Sequence, residues 1–272
     1  METVPPGYLG IAAAADRVGV TVSTLKRWAD EGRLPCLKTR GGHRRFLGTD
    51  VERLLAEMAA RSGHALSRAE EWLALILQTD VHQLIGGLYA ARARLGAWYR
   101  VGEELGEGLR LLGAQWAQGR LGILDEHLAS ERLHRALSHI AAGISLPPEA
   151  PSCLLATPPG EEHTLGLSMA ELCLREVGWQ SLWGGSAVPA EEMSRRLSAL
   201  RVSMVAASAS ASSVPPRRLA RWAVRVGRAC ARKGIPFVAG GEGNWPAKID
   251  GGVRLKTFSQ LHALVVGLGP SQ

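Results

Sequence analysis

The sequence predicts a multidomain α and α/β protein with three parts: a winged helix-turn-helix head, a four-helix bundle and a doubly wound, Rossmann-like domain on a parallel sheet. Three observations carry this. Two short helical runs flank Gly19 ahead of a basic segment containing Gly41-Gly42. Four runs between residues 67 and 146 repeat apolar residues at three and four, the period of a helix with one buried stripe. From residue 152 onward, apolar strand-like runs alternate with helical ones, which lays the strands side by side in a parallel sheet.

The head occupies residues 1–63. "LGIAAAADRVGV" reads as an Ala-rich helix ending at Val18-Gly19, and Thr21 is placed to cap a second helix, "VSTLKRWADEG", which Gly32 stops. Two helices joined by a turn around a glycine form a helix-turn-helix. "RLPCLKTRGGHRRF" then folds into a small hairpin about Gly41-Gly42, and "GTDVERLLAEMAA" is an amphipathic helix with Thr49 as its cap. The bundle, residues 67–146, has breaks near Thr79, Gly96 and Gly119 to Gly122, and short connections of this kind make antiparallel neighbours. "SLPPEAPS" is a Pro-rich linker. The sheet domain, residues 152–272, reads strand "CLLATPP", helix to Gly178, strand "WQSLWGG", helix "AEEMSRRLSALR", strand "VSMVAASAS", helix "PRRLARWAVRVGRACARKG", strand "PFVAGG", strand "GGVRLK" and a last helix. Sheets wound this way bind ligands at the carboxyl ends of their strands.

Composition narrows the possibilities. At 46% hydrophobic residues the 272-residue chain has ample material for packed cores. The net charge is +7, and it is uneven. Five Lys/Arg and no acid fall between Arg33 and Arg45, ten acids and eight bases between Ser67 and Ala150, and seven bases and no acid from Arg217 to Lys233. Cys36, Cys153, Cys173 and Cys230 are too scattered for a zinc site. No charged start precedes an apolar block and no apolar run reaches the ~18 residues of a membrane span, so the expectation is a cytoplasmic, reduced protein without membrane contact. No Ser/His/Asp triad or acid/base carboxylate pair is evident, which argues against an enzyme.

A duplex-binding module needs a helix for the major groove and cations for phosphates. Thr24, Lys26 and Arg27 stand at the front of the second helix, while Lys38, Arg40, His43, Arg44 and Arg45 populate the hairpin. This segment, over about residues 8–60, closely resembles the winged DNA-binding domain of MerR-type regulators, most specifically in "GGHRRF". Double-stranded operator DNA is the partner that the resemblance implies.

"TPPGEEHTLG" follows the first strand of the sheet domain and fits D/E-x-H-x-x-G with Glu161, His163 and Gly166. A carboxylate two residues from a histidine can accept the ring N–H, fix its tautomer and raise its basicity towards a metal. Gly166 lets a flat group approach the backbone. Ser208 ends the third strand, and Gly240-Gly241 end the fourth. Together these resemble the cobalamin-binding fold of methionine synthase, corrinoid mutases and CarH-type light sensors. The resemblance implies that His163 is the lower axial ligand of cobalt with Glu161 behind it, that Ser208 touches the buried base of the cofactor, and that Gly240 and Gly241 make room for its tail. Ser210 stands where the family's S-x-L segment carries an apolar residue.

The bundle carries Trp116, Glu126 and His127 in the spacing W-x9-E-H, which resembles the CarH-type lid over the upper face of the corrin. The resemblance makes Trp116 a flat apolar wall and Glu126 and His127 polar contacts to the upper ligand. The plainer readings are core packing for the Trp and a helix-start charge for Glu126. Where CarH-type proteins carry a second histidine, directly after the Trp, this chain has Ala117. The implied protein is a cobalamin-binding, DNA-binding transcriptional regulator, a repressor whose adenosylcobalamin (or methylcobalamin) makes its dimer or tetramer, and so its grip on DNA, sensitive to light. Two alternatives stay open: a light-independent cobalamin or tetrapyrrole sensor, and a corrinoid carrier for a methyltransferase.

Overall fold

The computed structural model describes residues 7–39, 41–211 and 213–269, with the backbone alone at 56 and 59–66. It divides into two compact units, 1–68 and 69–272.

In the first unit, α1 (Ile11–Val18) and α2 (Val22–Asp30) meet at Gly19, whose φ of 74° closes α1 in the left-handed region that favours glycine. Thr21 caps α2 as expected, its Oγ1 accepting the Thr24 amide at 3.2 Å. Past the end of α2, Gly32 takes a φ of 74° and the Arg33 amide reaches back to the Trp28 carbonyl. The hairpin is β2 (Leu37–Lys38) against β3 (Arg44–Leu47). One strand went unread: β1 (Tyr8–Gly10) pairs antiparallel with the other edge of β3, Leu9 opposite Phe46. Leu25, Trp28, Leu34, Phe46 and Val51 form the core. The helix α3 runs unbroken over Gly48–Gln78, where the sequence suggested two helices, and Thr49 lies inside its first turn rather than ahead of it.

In the second unit, α4 (Val81–Leu95), α5 (Trp98–Ala117) and α6 (Ile123–Ala142) join the end of α3, and an Asp80–Gln83 capping box opens α4. The sheet holds β4 (Ser152–Ala156), β5 (Gln180–Gly185), β6 (Met204–Ser208), β7 (Phe237–Gly240) and β8 (Gly252–Arg254) in the order β5-β4-β6-β7-β8, all parallel. The intervening helices are α7 (Leu165–Glu176), α8 (Ala190–Arg196), α9 (Pro216–Lys233) and α10 (Phe258–Leu268). Alternate strand residues bury opposite ways. Cys153, Leu155, Met204 and Ala206 join the bundle, α7 and α10, whereas Leu154, Ala156, Val205 and Ala207 join α8 and α9.

The bundle is fastened to the sheet by Glu176 at the end of α7. One carboxylate oxygen takes Arg92 of α4 at 2.7 Å and the other accepts the Trp98 amide at the start of α5 at 2.8 Å. Among the described residues no helix is long and apolar enough to cross a membrane.

Candidate functional site

The strand order fixes where the site lies. From β4 the chain crosses to β5 on one side and then, through α8, to β6 on the other, so the carboxyl ends of β4 and β6 flank the switch point of the sheet. The Glu161–His163 loop leaves β4 there, and the segment from Ser208 to Ser213 leaves β6.

Glu161 is wholly buried and joins the two loops. Its Oε1 accepts the His163 backbone amide at 2.8 Å and His163 Nδ1 at 2.6 Å. Its Oε2 accepts the Ser210 amide at 2.5 Å, the Ser210 hydroxyl at 2.9 Å and the Ser213 hydroxyl. Thr157 holds the loop from below, donating to the Glu161 carbonyl and accepting the Ala187 amide. Burial pushes the Glu161 carboxyl up, but the hydrogen bonds from Ser213, Ser210 and His163 outweigh it and hold the group below the ordinary carboxylate range. A carboxylate only accepts, so neutral His163 keeps its proton on Nδ1 and turns its Nε2 lone pair outward. The His163 side chain is 73% exposed.

Beside this loop a cavity of about 370 Å³ opens at the carboxyl ends of β6 and β7. Gly166, Ser208, Gly240 and Gly241 all line it, with Val238 behind and Phe258 and Leu261 of α10 at one side. Its glycine walls are close-set. A Cβ on Gly241, whose φ is 80°, would stand 2.5 Å from the Ala209 carbonyl, and one on Gly166 would stand 3.1 Å from Ser208 Oγ. Sequence reasoning missed Ser210 and Ser213. Ser210 occupies the odd place in "SAS", and its hydroxyl serves Glu161 rather than the cavity.

The lid residues are placed more loosely. Trp116, in the last turn of α5, is 50% exposed. Glu126, in the first turn of α6, accepts from the Ser130 hydroxyl at 2.6 Å, and His127 Nε2 lies 3.7 Å from its other oxygen. Ile123, Leu124 and Leu128 are exposed on the same helix start, and so is Ala117. None of these side chains walls the cavity described above.

In the head, Lys26, Arg27, Lys38 and His43 are exposed, with Arg27 3.7 Å from Glu31. Thr24 Oγ1 lies 2.9 Å from the capping hydroxyl of Thr21. Arg44 is only 18% exposed and lies on Asp30, fastening the wing to α2, and half-buried Arg45 bonds the Arg44 carbonyl. Arg40 lies outside the described residues.

A head of this kind, joined to a unit with a histidine-bearing switch point, defines a ligand-responsive regulator, and comparison with known proteins agrees. Residues 8–59 match the family described as a helix-turn-helix domain, and residues 68–141 match the B12 binding domain. The HTH-type transcriptional repressor CarH of Myxococcus xanthus is 32% identical over 217 residues, covering 76% of this chain and 69% of that protein. The repressor CarA of the same organism is 32% identical over 124 residues, 46% of this chain and 42% of CarA. Among solved structures, a monomethylamine corrinoid protein of Methanosarcina barkeri shares the fold at a TM-score of 0.56 and 14% identity, over 73% of this chain and 96% of its own. The chain belongs to the CarH family of HTH-type transcriptional repressors. It is a cobalamin-binding transcriptional regulator and not an enzyme.

Proposed function

We propose that the chain represses transcription from double-stranded operator DNA as a cobalamin-dependent homo-oligomer, and that light relieves the repression. The observation that carries this reading is the Glu161–His163 pair, a buried carboxylate holding an exposed imidazole whose Nε2 has no hydrogen-bond partner among the described residues. The donor set fits a corrin: a single neutral nitrogen suits a cobalt that already has four ring ligands, and the glycine-walled cavity gives a nucleotide tail somewhere to go. His163 would be the lower ligand, with Glu161 fixing its ring. Ser208 would meet the buried base, Gly240 and Gly241 would admit the tail, and Gly166 would let the backbone lie close. Trp116 would wall the upper face, with Glu126 accepting from hydroxyls and His127 donating to a polar edge.

Adenosylcobalamin, the form that we favour over methylcobalamin, supplies a cobalt–carbon bond that visible light cleaves. The chain's own contribution is to orient, enclose and read out. A ligand shifts an equilibrium only by its differential affinity for two states, so the lid is the element that must differ between them. Linking several heads in one assembly multiplies affinity through effective concentration, so disassembly would loosen DNA steeply. On the DNA side, Thr24, Lys26 and Arg27 would meet the major groove, and Lys38, Arg40 and His43 the backbone. Arg44 and Arg45 would brace the wing.

The test is the absorption spectrum and mass of the full chain with adenosylcobalamin, in the dark and after green light. A dark spectrum of histidine-ligated cobalamin and a light-dependent fall in mass are expected. A mass and an operator affinity indifferent to light would leave a light-independent sensor. Exchanging His163→Ala should weaken cobalamin binding by more than the roughly 10–100-fold that losing only a ligand's supporting partner costs. Unchanged affinity would overturn the lower-ligand assignment. Ala117 has no atom that ligates a metal, so Ala117→His, and not the native chain, should give a bis-imidazole spectrum after illumination.

A further inference from the structure

We infer that the cobalamin-binding unit carries a DNA contact of its own: the outer face of α9 docks on the phosphate backbone of duplex DNA. This rests on the chain being a duplex binder, as read above. The inner face of α9 buries Leu219, Trp222, Ala223, Val226 and Cys230 against the sheet. The outer face presents Arg217, Arg221, Arg225, Arg228 and Arg232 on one stripe, all exposed, with exposed Arg218 beside it. Arg225 is paired with Glu191 and Arg228 with Asp250. Arg217, Arg218, Arg221 and Arg232 have no acidic partner among the described residues.

The shape of this charge selects the partner. Arg217 and Arg232 are 15 residues apart on one helix, so at about 1.5 Å per residue the stripe runs roughly 22 Å. No arginine on it is buried. Arg221, Arg225, Arg228 and Arg232 share a shallow concavity with Ser194, but the row of charge continues past it to Arg217 and Arg218, further than one small anion would use. A line of exposed guanidinium groups suits a linear polyanion, and duplex DNA carries a charge every ~1.7 Å along its axis. Arginine also binds phosphate oxygens in pairs, which lysine cannot. A second copy of the chain offers a poorer match. Three of the acids of its bundle already serve their own arginines: Glu104 takes Arg94, Glu107 takes Arg110 and Glu131 takes Arg135.

The experiment replaces Arg217→Gln, Arg218→Gln, Arg221→Gln and Arg232→Gln together in the full chain. The salt dependence of binding to a mixed-sequence duplex of about 60 base pairs is then compared with native protein. Each arginine that leaves a phosphate should lower the slope of log K against log salt by about 0.9, so a drop of roughly 2–4 is expected. The cobalamin spectrum should be unchanged, which shows that the variant is folded. A head variant, Lys26→Gln with Arg27→Gln and Lys38→Gln, should keep a residual affinity that the four α9 changes abolish. A slope equal to native would overturn the inference and leave the head's role standing. An unchanged slope with altered mass would instead assign the face to a second copy. If native protein binds no duplex, the regulator reading falls as well.

Discussion

Glu161 and Glu126 are the two carboxylates that the proposed reading assigns to one ligand, and the chain treats them differently. Glu161 is sealed from solvent and receives hydrogen bonds from His163, Ser210 and Ser213. Glu126 is partly exposed and holds one hydroxyl of its own helix, where Ile123 and Leu124 are open to water, as is Trp116 at the end of α5. The lower loop is held by the protein's own hydrogen bonds. The upper stretch leaves large apolar groups uncovered, which marks a surface built to be covered. In the proposed reading, one half of the site would be preorganised and the other left responsive, and a sensor needs both.

The largest effect that could break this contrast is Glu161→Ala. It strips acceptors from the amides of His163 and Ser210 and from the Ser213 hydroxyl, and should destabilise the unit by about 3 kcal/mol or more. Thermal unfolding should then shift down by roughly 6–12 °C, taking ~2–4 °C per kcal/mol for a unit of this size. The same residue sets a pH dependence. Its folded pKa is depressed, so its stabilisation is complete above the ordinary carboxylate value of about 4.3 and is lost as pH falls through the lower, folded value. Native stability should therefore drop through that acid window more steeply than that of Glu161→Gln, and parallel profiles would count against the network.

Ser210→Ala should cost about 1 kcal/mol in denaturant unfolding, since the Ser210 amide and the Ser213 hydroxyl still reach Oε2. The smallest effect belongs to the lid. Trp116→Ala, at a half-exposed site, should stay within about 0.5 kcal/mol of native without ligand. If Trp116 walls the ligand as proposed, a larger gap should open once cobalamin is added, because only the bound state would cover the ring. A large loss in ligand-free protein would mean that the lid is core and the contrast is false.

What the sequence disclosed follows the range of the interactions. Glu161, His163 and Gly166 are close in the chain, so their relation shows as a pattern. Ser210 is a partner of Glu161 from 49 positions away, and its place in "SAS" reads as a lost apolar contact rather than a gained hydrogen bond. Thr21 was legible as a cap because capping is local. The three residues of β1 were not, because their reason is the free edge of β3. Arg44 shows the limit of charge patterns, since a basic run does not say which member a distant Asp30 has claimed. The sequence puts the end of the head at residue 63 and the start of the bundle at 67, yet α3 runs straight through this stretch and its isolated glycine, Gly63. Such a residue costs about 1 kcal/mol in a helix and does not by itself end one.

Glu176 carries a consequence for how this architecture can be taken apart. Its carboxylate belongs to α7, yet it neutralises Arg92 and receives the first amide of α5. An excised bundle would leave that anion behind and start α5 with an unanswered amide and a stranded guanidinium. The family pattern for B12 binding stops at residue 141, short of it. Anyone building chimaeras, or tracing how such sensors were shuffled between heads, should therefore cut ahead of the bundle and keep it with its sheet as a single heritable part.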